Sequence, residues 1–284
     1  MMARDWDIEY KTPEQIAKMR VAGLLVAATL EKLRDAVAPG VSTADLDAVA
    51  EESIRSGGGI PSFLGYHGYP ASICTSVNNE VVHAIPNTDA VLREGDVISI
   101  DCGAIVDGWH GDSAITVPVG EVRREALRLA EAAEDAMWAG IAQAARGLRS
   151  GRGRLTDISH AIQSSVRKAG RYGIVEGYGG HGIGTQMHQD PFVLNYGRPG
   201  KGPVLRPGLC IAIEPMLTLG RPRTVELEDG WTVVTADGSL AAHVEHTVAL
   251  CDDGVWVLTA PDGGRQRLGE LASQAARAES ATQA

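Results

Sequence analysis

The chain has 284 residues, 44% of them hydrophobic and 22% charged, a globular composition long enough for one large α/β domain or two smaller ones. Its formal charge of −10 argues against nucleic-acid binding by charge, and nothing reads as a basic arm. The opening MMARDWDIEYKT carries charges where a secretory leader needs an apolar core, and no apolar run reaches the roughly 18 residues of a membrane span. Cys74, Cys102, Cys210 and Cys251 lie far apart and form no C-x-x-C pair. The expectation is a cytoplasmic protein with free thiols and no membrane association.

Thr12-Pro13-Glu14-Gln15 reads as a helix start, with Thr as cap, Pro at the first helical position and Gln three residues after the cap. Ile16, Met19, Gly23, Val26, Leu30, Leu33 and Val37 then follow at helical spacing up to Pro39-Gly40. A second helix begins at Ser42 or Thr43 and stops at Gly57-Gly58-Gly59. A loop rich in Gly, Tyr and His (PSFLGYHGYP), a strand near Ser72–Val77, and His83 come next. Val97–Ile100 and Ala114–Val117 then predict two strands of a hairpin turning at Asp107-Gly108. Folding them together brings Asp101 and Asp112 into one apolar wall, which is unfavourable unless a proton or a cation compensates them.

The pattern then repeats. Glu121 to Leu148 predicts a long helix, and a shorter one runs from Thr156 to Gly170. Ile98-Ser-Ile-Asp101 recurs as Ile211-Ala-Ile-Glu214, and His243-Val-Glu245-His-Thr-Val resembles the strand bearing Asp112. The order long helix, short helix, strand with carboxylate, strand with carboxylate describes two similar halves, about 13–120 and 121–258, packed as one domain over 1–262. From Gly263 to Ala284 the chain is polar and Ala-rich and is expected to be a flexible tail.

Asp101, Asp112, Glu214 and Glu245 each lie in or beside an apolar strand, where acids are uncommon. Singly, each is as readily a strand-end acid or a salt-bridge partner. Together, in repeated positions with no basic residue interleaved, and with His181 in GYGGHGIG, they make a hard, oxygen-rich donor set. That set suits two divalent cations sharing carboxylates, Mn, Fe or Co before a thiolate-type zinc site, and the chemistry of metal-assisted hydrolysis. Gly177-Tyr-Gly179-Gly-His-Gly182 matches G-x-G-x-x-G, but Gly184 and Pro191 interrupt the helix a dinucleotide site needs, and no acid follows at the required distance. Neither H-E-x-x-H nor G-x-S-x-G occurs.

The ordered motifs LGYHGYPASICTSVNNEVVHAIPN, ISIDCGAIVDGWHGDSA, GYGGHGIG, MHQDP, IEPM, EDGWTV and VEHTV resemble the type I methionine aminopeptidases, over roughly residues 10 to 255. The resemblance implies an α+β, pita-bread fold: two pseudo-symmetric halves of antiparallel sheet covered by helices. It implies removal of the initiator methionine from nascent chains when the next residue is small, in the cytoplasm, by a monomer in transient contact with the ribosome. Two divalent ions (Co, Mn, Fe or Zn) are implied, with Asp101 chelating one, His181 and Glu214 ligating the other, and Asp112 and Glu245 shared. His83 and His188 match two non-ligand histidines, the first near the scissile amide nitrogen and the second at the carbonyl oxyanion. Glu214 is the implied proton shuttle. The implied methionine pocket consists of Phe63, Tyr66, Tyr69, Cys74, Met187 and Trp231, aromatic and thioether groups suited to a polarisable apolar side chain. Met187 departs from the bulky aromatic expected there, and Ala84 from a glycine. Only 31 residues separate Glu214 from Glu245, too few for the insert of type II enzymes, and no zinc-finger extension precedes the motifs. Two alternatives share the fold: a proline-specific peptidase, expected to carry a larger N-terminal domain, and a non-catalytic binding protein, expected to have lost ligands.

Overall fold

The computed structural model describes residues 6–282; the first five residues of the stretch read for a leader, and the last two of the expected tail, lie outside the described residues. Helices α1 (Pro13–Ala36) and α2 (Thr43–Ser56) open the chain. Thr12 Oγ1 accepts from the Gln15 N–H while the Gln15 side chain accepts from the Thr12 N–H, so two orphan donors are satisfied reciprocally. Ser42 and Asp45 repeat the device for α2. Strands β1 (Ile60–Pro61), β2 (Ile73–Val77), β3 (Glu80–Val82), β4 (Val97–Val106) and β5 (Trp109–Pro118) complete the first half. β4 and β5 pair along their whole length, from Val97 with Pro118 to Val106 with Trp109. The turn residues Asp107 and Gly108 have φ of 49° and 81°, as a two-residue hairpin turn requires.

The second half holds α3 (Arg124–Ser150) and α4 (Leu155–Ala169), then β6 (Gly173–Ile174), β7 (Gly180–Gly182), β8 (Gln189–Val193) and β9 (Cys210–Ile213). β10 (Met216–Thr218), β11 (Thr224–Glu226), β12 (Val233–Thr235), β13 (Ala241–His243), β14 (Glu245–Cys251) and β15 (Gly254–Val257) follow. α3 starts three residues later than its periodicity predicts, and the Glu121 N–H ahead of it donates to the Glu94 carboxylate. The chain closes with α5 (Arg265–Leu268) and α6 (Gln274–Thr282).

One nine-stranded antiparallel sheet runs β1-β4-β5-β14-β9-β7-β8, with β2 also on β4 and β15 also on β14. The halves meet where Ala114 and Ser113 of β5 pair with Glu245 and His246 of β14. Two three-stranded sheets, β13-β10-β6 and β11-β12-β3, border it. Alternation along β4 separates its two faces. Ile98, Ile100, Cys102 and Ala104 join the core with Val26, Leu30 and Ile54 of the first helix pair, leaving Ser99, Asp101 and Gly103 to the other face. A larger core packs α3 and α4 on β9, β14 and β15.

Part of the expected tail packs on the larger core. Leu268, Ala272 and Ala276 are buried in the larger core, and the Ser273 N–H donates to the Val255 carbonyl at 2.8 Å. Small side chains allow this close approach, and they also keep the local hydrophobic signal weak. No helix among the described residues is long and apolar enough to cross a membrane.

Candidate active site

The hairpin register sets the carboxylates. Asp101 pairs with Ala114 and Asp112 with Gly103, so the two acids are diagonal neighbours on one face, each opposite a small residue. Ala114 pairs in turn with Glu245, which extends the row across β14. Glu214 follows β9 immediately after Ile213, the partner of His246, and its backbone carbonyl accepts from Asn195 Nδ2 at 3.0 Å. A Cβ on Gly103 would stand 2.8 Å from Phe63 Cε1, so the bare position lets that ring lie against the strand.

His181 sits at the middle of β7 between two glycines that cannot be replaced by larger residues. A Cβ on Gly180 would collide with the Ala212 carbonyl, and one on Gly182 with that of Asp190. Of the glycines in the G-x-G-x-x-G match, Gly179 and Gly182 serve close strand packing, while Gly177 takes a positive φ in open space. His181 Nδ1 lies 3.0 Å from the Gly182 carbonyl, to which only an N–H can donate. With Nδ1 as the donor, Nε2 is left facing the cavity, 3.6 Å from Glu214 Oε1.

The His188 ring is tilted 55° against that of His181, with centroids 4.2 Å apart, and its Nδ1 lies 2.9 Å from the Tyr66 hydroxyl. His83 is held at φ 61°, an uncommon conformation for a non-glycine residue that clusters at functional sites. The adjoining Ala84 carbonyl accepts from the Thr75 N–H and the Tyr69 hydroxyl. Trp231 is set by Asp229, whose carboxylate accepts from the backbone N–H groups of Trp231 and Thr232. Its ring meets Tyr69 edge-on at 5.0 Å.

All thirteen residues singled out in the sequence line one cavity of about 320 Å³: Phe63, Tyr66, Tyr69, Cys74, His83, Asp101, Asp112, His181, Met187, His188, Glu214, Trp231 and Glu245. Its apolar end is a cluster of Phe63, Tyr69, Ala71, Cys74 and Met187, and its polar end is the acids.

That polar end is electrostatically incomplete. Asp101 Oδ1, Asp112 Oδ1 and Glu245 Oε1 are buried and have no hydrogen-bond partner in the protein. Burial pushes all three carboxyls up, with the neighbouring acids adding to the shift at Asp112 and Glu245. Glu214 differs: against a large upward push from burial, the imidazoles of His243, His181 and His188 hold it below the ordinary value. Burial drives His188 down to about 3 and lowers His83, so both rings are neutral near pH 7. Ligand atoms of Asp112, His181 and Glu245 lie within 4.8 Å of one another. Orphaned buried carboxylate oxygens beside a free imidazole nitrogen fit a divalent cation in chemistry and in spacing.

Two residues of the site were not anticipated. His67 lines the cavity from an exposed turn with φ 48°. His243 is 2% exposed, with Nε2 3.5 Å from Glu214 Oε2. The expectation that no basic group is interleaved among the acids is therefore corrected. Burial alone would lower His243, but Glu214 and Asp101 together raise it. Its signal, a histidine two residues before Glu245 in HVEHTV, was present in the sequence.

Comparisons with known proteins agree with this geometry. Residues 17–251 match metallopeptidase family M24. The chain is 55% identical over 257 residues to methionine aminopeptidase 1 of Mycobacterium tuberculosis, spanning 89% of this chain and 95% of that one. It is 51% identical over 249 residues to the methionine aminopeptidase of Clostridium acetobutylicum, spanning 88% and 97%. The crystal structure of methionine aminopeptidase from Rickettsia prowazekii superposes with a TM-score of 0.85 at 42% identity, covering 89% of this chain and all of that one.

Proposed function

The chain belongs to metallopeptidase family M24, and from that premise we propose how its cavity releases an N-terminal methionine. The fold is the pita-bread fold, and the chain is a metal-dependent aminopeptidase acting on N-terminal methionine. One observation carries the detailed reading: the buried, unpartnered oxygens of Asp101, Asp112 and Glu245 border the same cavity as an aromatic and thioether pocket.

In this reading two divalent cations, Co, Mn, Fe or Zn, are held by Asp101, Asp112, His181, Glu214 and Glu245. Asp112 and Glu245, pushed up by burial and then by the neighbouring acids, would each contribute to holding both. When bound, the cations supply Lewis acidity at the scissile carbonyl and lower the pKa of water. Phe63, Tyr66, Tyr69, Cys74, Met187 and Trp231 receive the methionine side chain. Glu214, whose carboxyl is held below the ordinary value, accepts the proton of the attacking water and delivers it to the leaving amine. Donation from the Tyr66 hydroxyl to His188 Nδ1 leaves Nε2–H free to donate to the carbonyl oxygen as it gains charge. His83 hydrogen-bonds the substrate near its amide nitrogen. The cavity's modest volume supports a preference for small residues after the methionine. The same proposal takes nascent chains in the cytoplasm as substrate, met in transient ribosome contact by a monomer.

The test is incubation of metal-stripped protein with Met-Ala and Ala-Ala peptides under each of Mn, Co, Fe and Zn, beside Glu214→Ala. The expected outcome is metal-dependent release of free methionine from the first peptide alone, reduced about 10²- to 10⁴-fold in the variant, the range of a lost general base. No release under any metal overturns the proposal.

A further inference from the structure

His243 is a buried polar side chain that the steps above do not use. Its backbone is fixed on both sides: the N–H contacts Ser99 Oγ and Thr116 Oγ1 at 3.1 Å, and the carbonyl accepts from Thr116 Oγ1 at 2.7 Å. Pairing with Met216 holds the same residue in β13. The imidazole therefore cannot turn out to water, and Nε2 has no other hydrogen-bond partner. It stands 3.5 Å from Glu214 Oε2, while His181 Nε2 stands 3.6 Å from Oε1 of the same carboxylate. The two imidazoles are not equivalent. His181 gives its Nδ1–H to a carbonyl and keeps a lone pair for a ligand position. His243 lies behind the carboxylate, on the oxygen that His181 does not face.

We propose that His243 is the positioning residue of Glu214: its Nε2–H donates to Oε2 and so fixes Oε1 toward the cation site. The proposal rests on the reading of Glu214 as ligand and proton carrier. A buried N–H left without an acceptor is costly, and Glu214 is the acceptor within reach. A carboxylate with one oxygen engaged from behind keeps a single orientation for the other, and such supporting hydrogen bonds typically tune a ligand strongly. Donation requires only that Nε2 carry a hydrogen, as it does in the cation and in the Nε2–H tautomer of the neutral ring. Ordinary core packing makes a different statement, because an apolar side chain of similar size would then serve.

Two substitutions separate these. H243L keeps bulk and removes the donor; H243Q keeps an N–H donor at similar reach. Each full-length variant is melted to establish folding, titrated with Mn²⁺ by calorimetry after metal removal, and assayed for kcat and KM on a Met-Ala peptide. The expected result is that H243L weakens Mn²⁺ binding and lowers kcat about 10- to 100-fold with KM little changed, and that H243Q recovers most of both losses. If H243L fails to fold, H243N, whose shorter amide falls short of Glu214, takes its place with the same expectation. Wild-type kcat and Mn²⁺ affinity in the donor-less variant overturns the proposal, and so does a folded H243Q as impaired as H243L. Absence of methionine release by the unmutated protein would instead sink the functional reading, while the Mn²⁺ titrations would still report on His243.

Discussion

The two halves of the central sheet contribute carboxylates in equal number and surround them differently. Asp101 and Asp112, from the β4–β5 hairpin, face Ala114 and Gly103 and bury oxygens without partners. Glu214, from the second half, lies between His181 and His243 and is ionised more readily than an ordinary glutamate. Glu245, at the seam, shares the raised state of the first pair. The difference divides the labour. The first half and the seam create a demand for positive charge that the protein leaves unmet, and in the proposed reading the second half keeps one carboxylate available to take and return a proton.

The sharpest consequence of that division concerns Asp112 against Glu214. On the proposed reading Asp112→Asn removes a charge that both cations would share, so Mn²⁺ binding and methionine release are both expected to fall to background. On the same reading Glu214→Gln removes the proton carrier while leaving the first half intact, so some Mn²⁺ binding is expected to survive a comparable loss of rate. Calorimetry and a coupled methionine assay on the same samples read both quantities. Equal Mn²⁺ affinities in the two variants would show that the halves are not specialised.

Metal removal tests the same asymmetry through stability. Asp101, raised to about 7, and Asp112 and Glu245 bind protons more tightly folded than unfolded. Their stabilising effect is full below the unfolded carboxylate range near pH 4 and is lost as pH rises through the folded values. Histidines lowered by burial, His83, His110, His188 and His246, act in the opposite direction, but only below about pH 6.5, where the unfolded imidazole titrates. Glu214, lowered in the fold, is ionised in both states there. From about pH 6.5 up through the folded values of the acids, the acids therefore decide the sign, and His243, raised in the fold, acts with them. The melting temperature of protein in EDTA is expected to fall with pH across this window, and Mn²⁺ to flatten the curve. A flat curve in EDTA would mean the carboxylates are not buried together.

What could be read from the sequence and what could not follow the range of the interactions involved. The hairpin was legible because Asp107-Gly108 and the alternation in β4 and β5 are local signals. The convergence of the acids was legible because the halves repeat in order. His243 was missed because its meaning depends on β13 pairing with β10 and on contacts to Ser99 and Thr116, partners up to 144 residues away. His67 reaches the cavity through a positive-φ turn that no hydrophobic period announces. The packing of the tail left no local signal for the complementary reason: Ala272 and Ala276 are too small to mark a buried face until Trp256 and Val257 are seen in the same cluster.

The smallest expected effect lies at the apolar end, where the halves no longer differ and only packing counts. Met187 is 3% exposed, in one cluster with Phe63, Tyr69 and Cys74, and stands where an aromatic was anticipated. A thioether is a softer wall than a ring, because it has more rotatable bonds and follows the shape of what it touches. Met187→Leu conserves volume and is expected to cost less than about 1.5 kcal/mol of stability. It should raise KM for Met-Ala peptides a few-fold and leave kcat unchanged, since a side chain that grips only the bound methionine stabilises ground state and transition state alike. A fall in kcat at constant KM would give Met187 a part in aligning the scissile bond. No change in either constant would remove it from the methionine pocket.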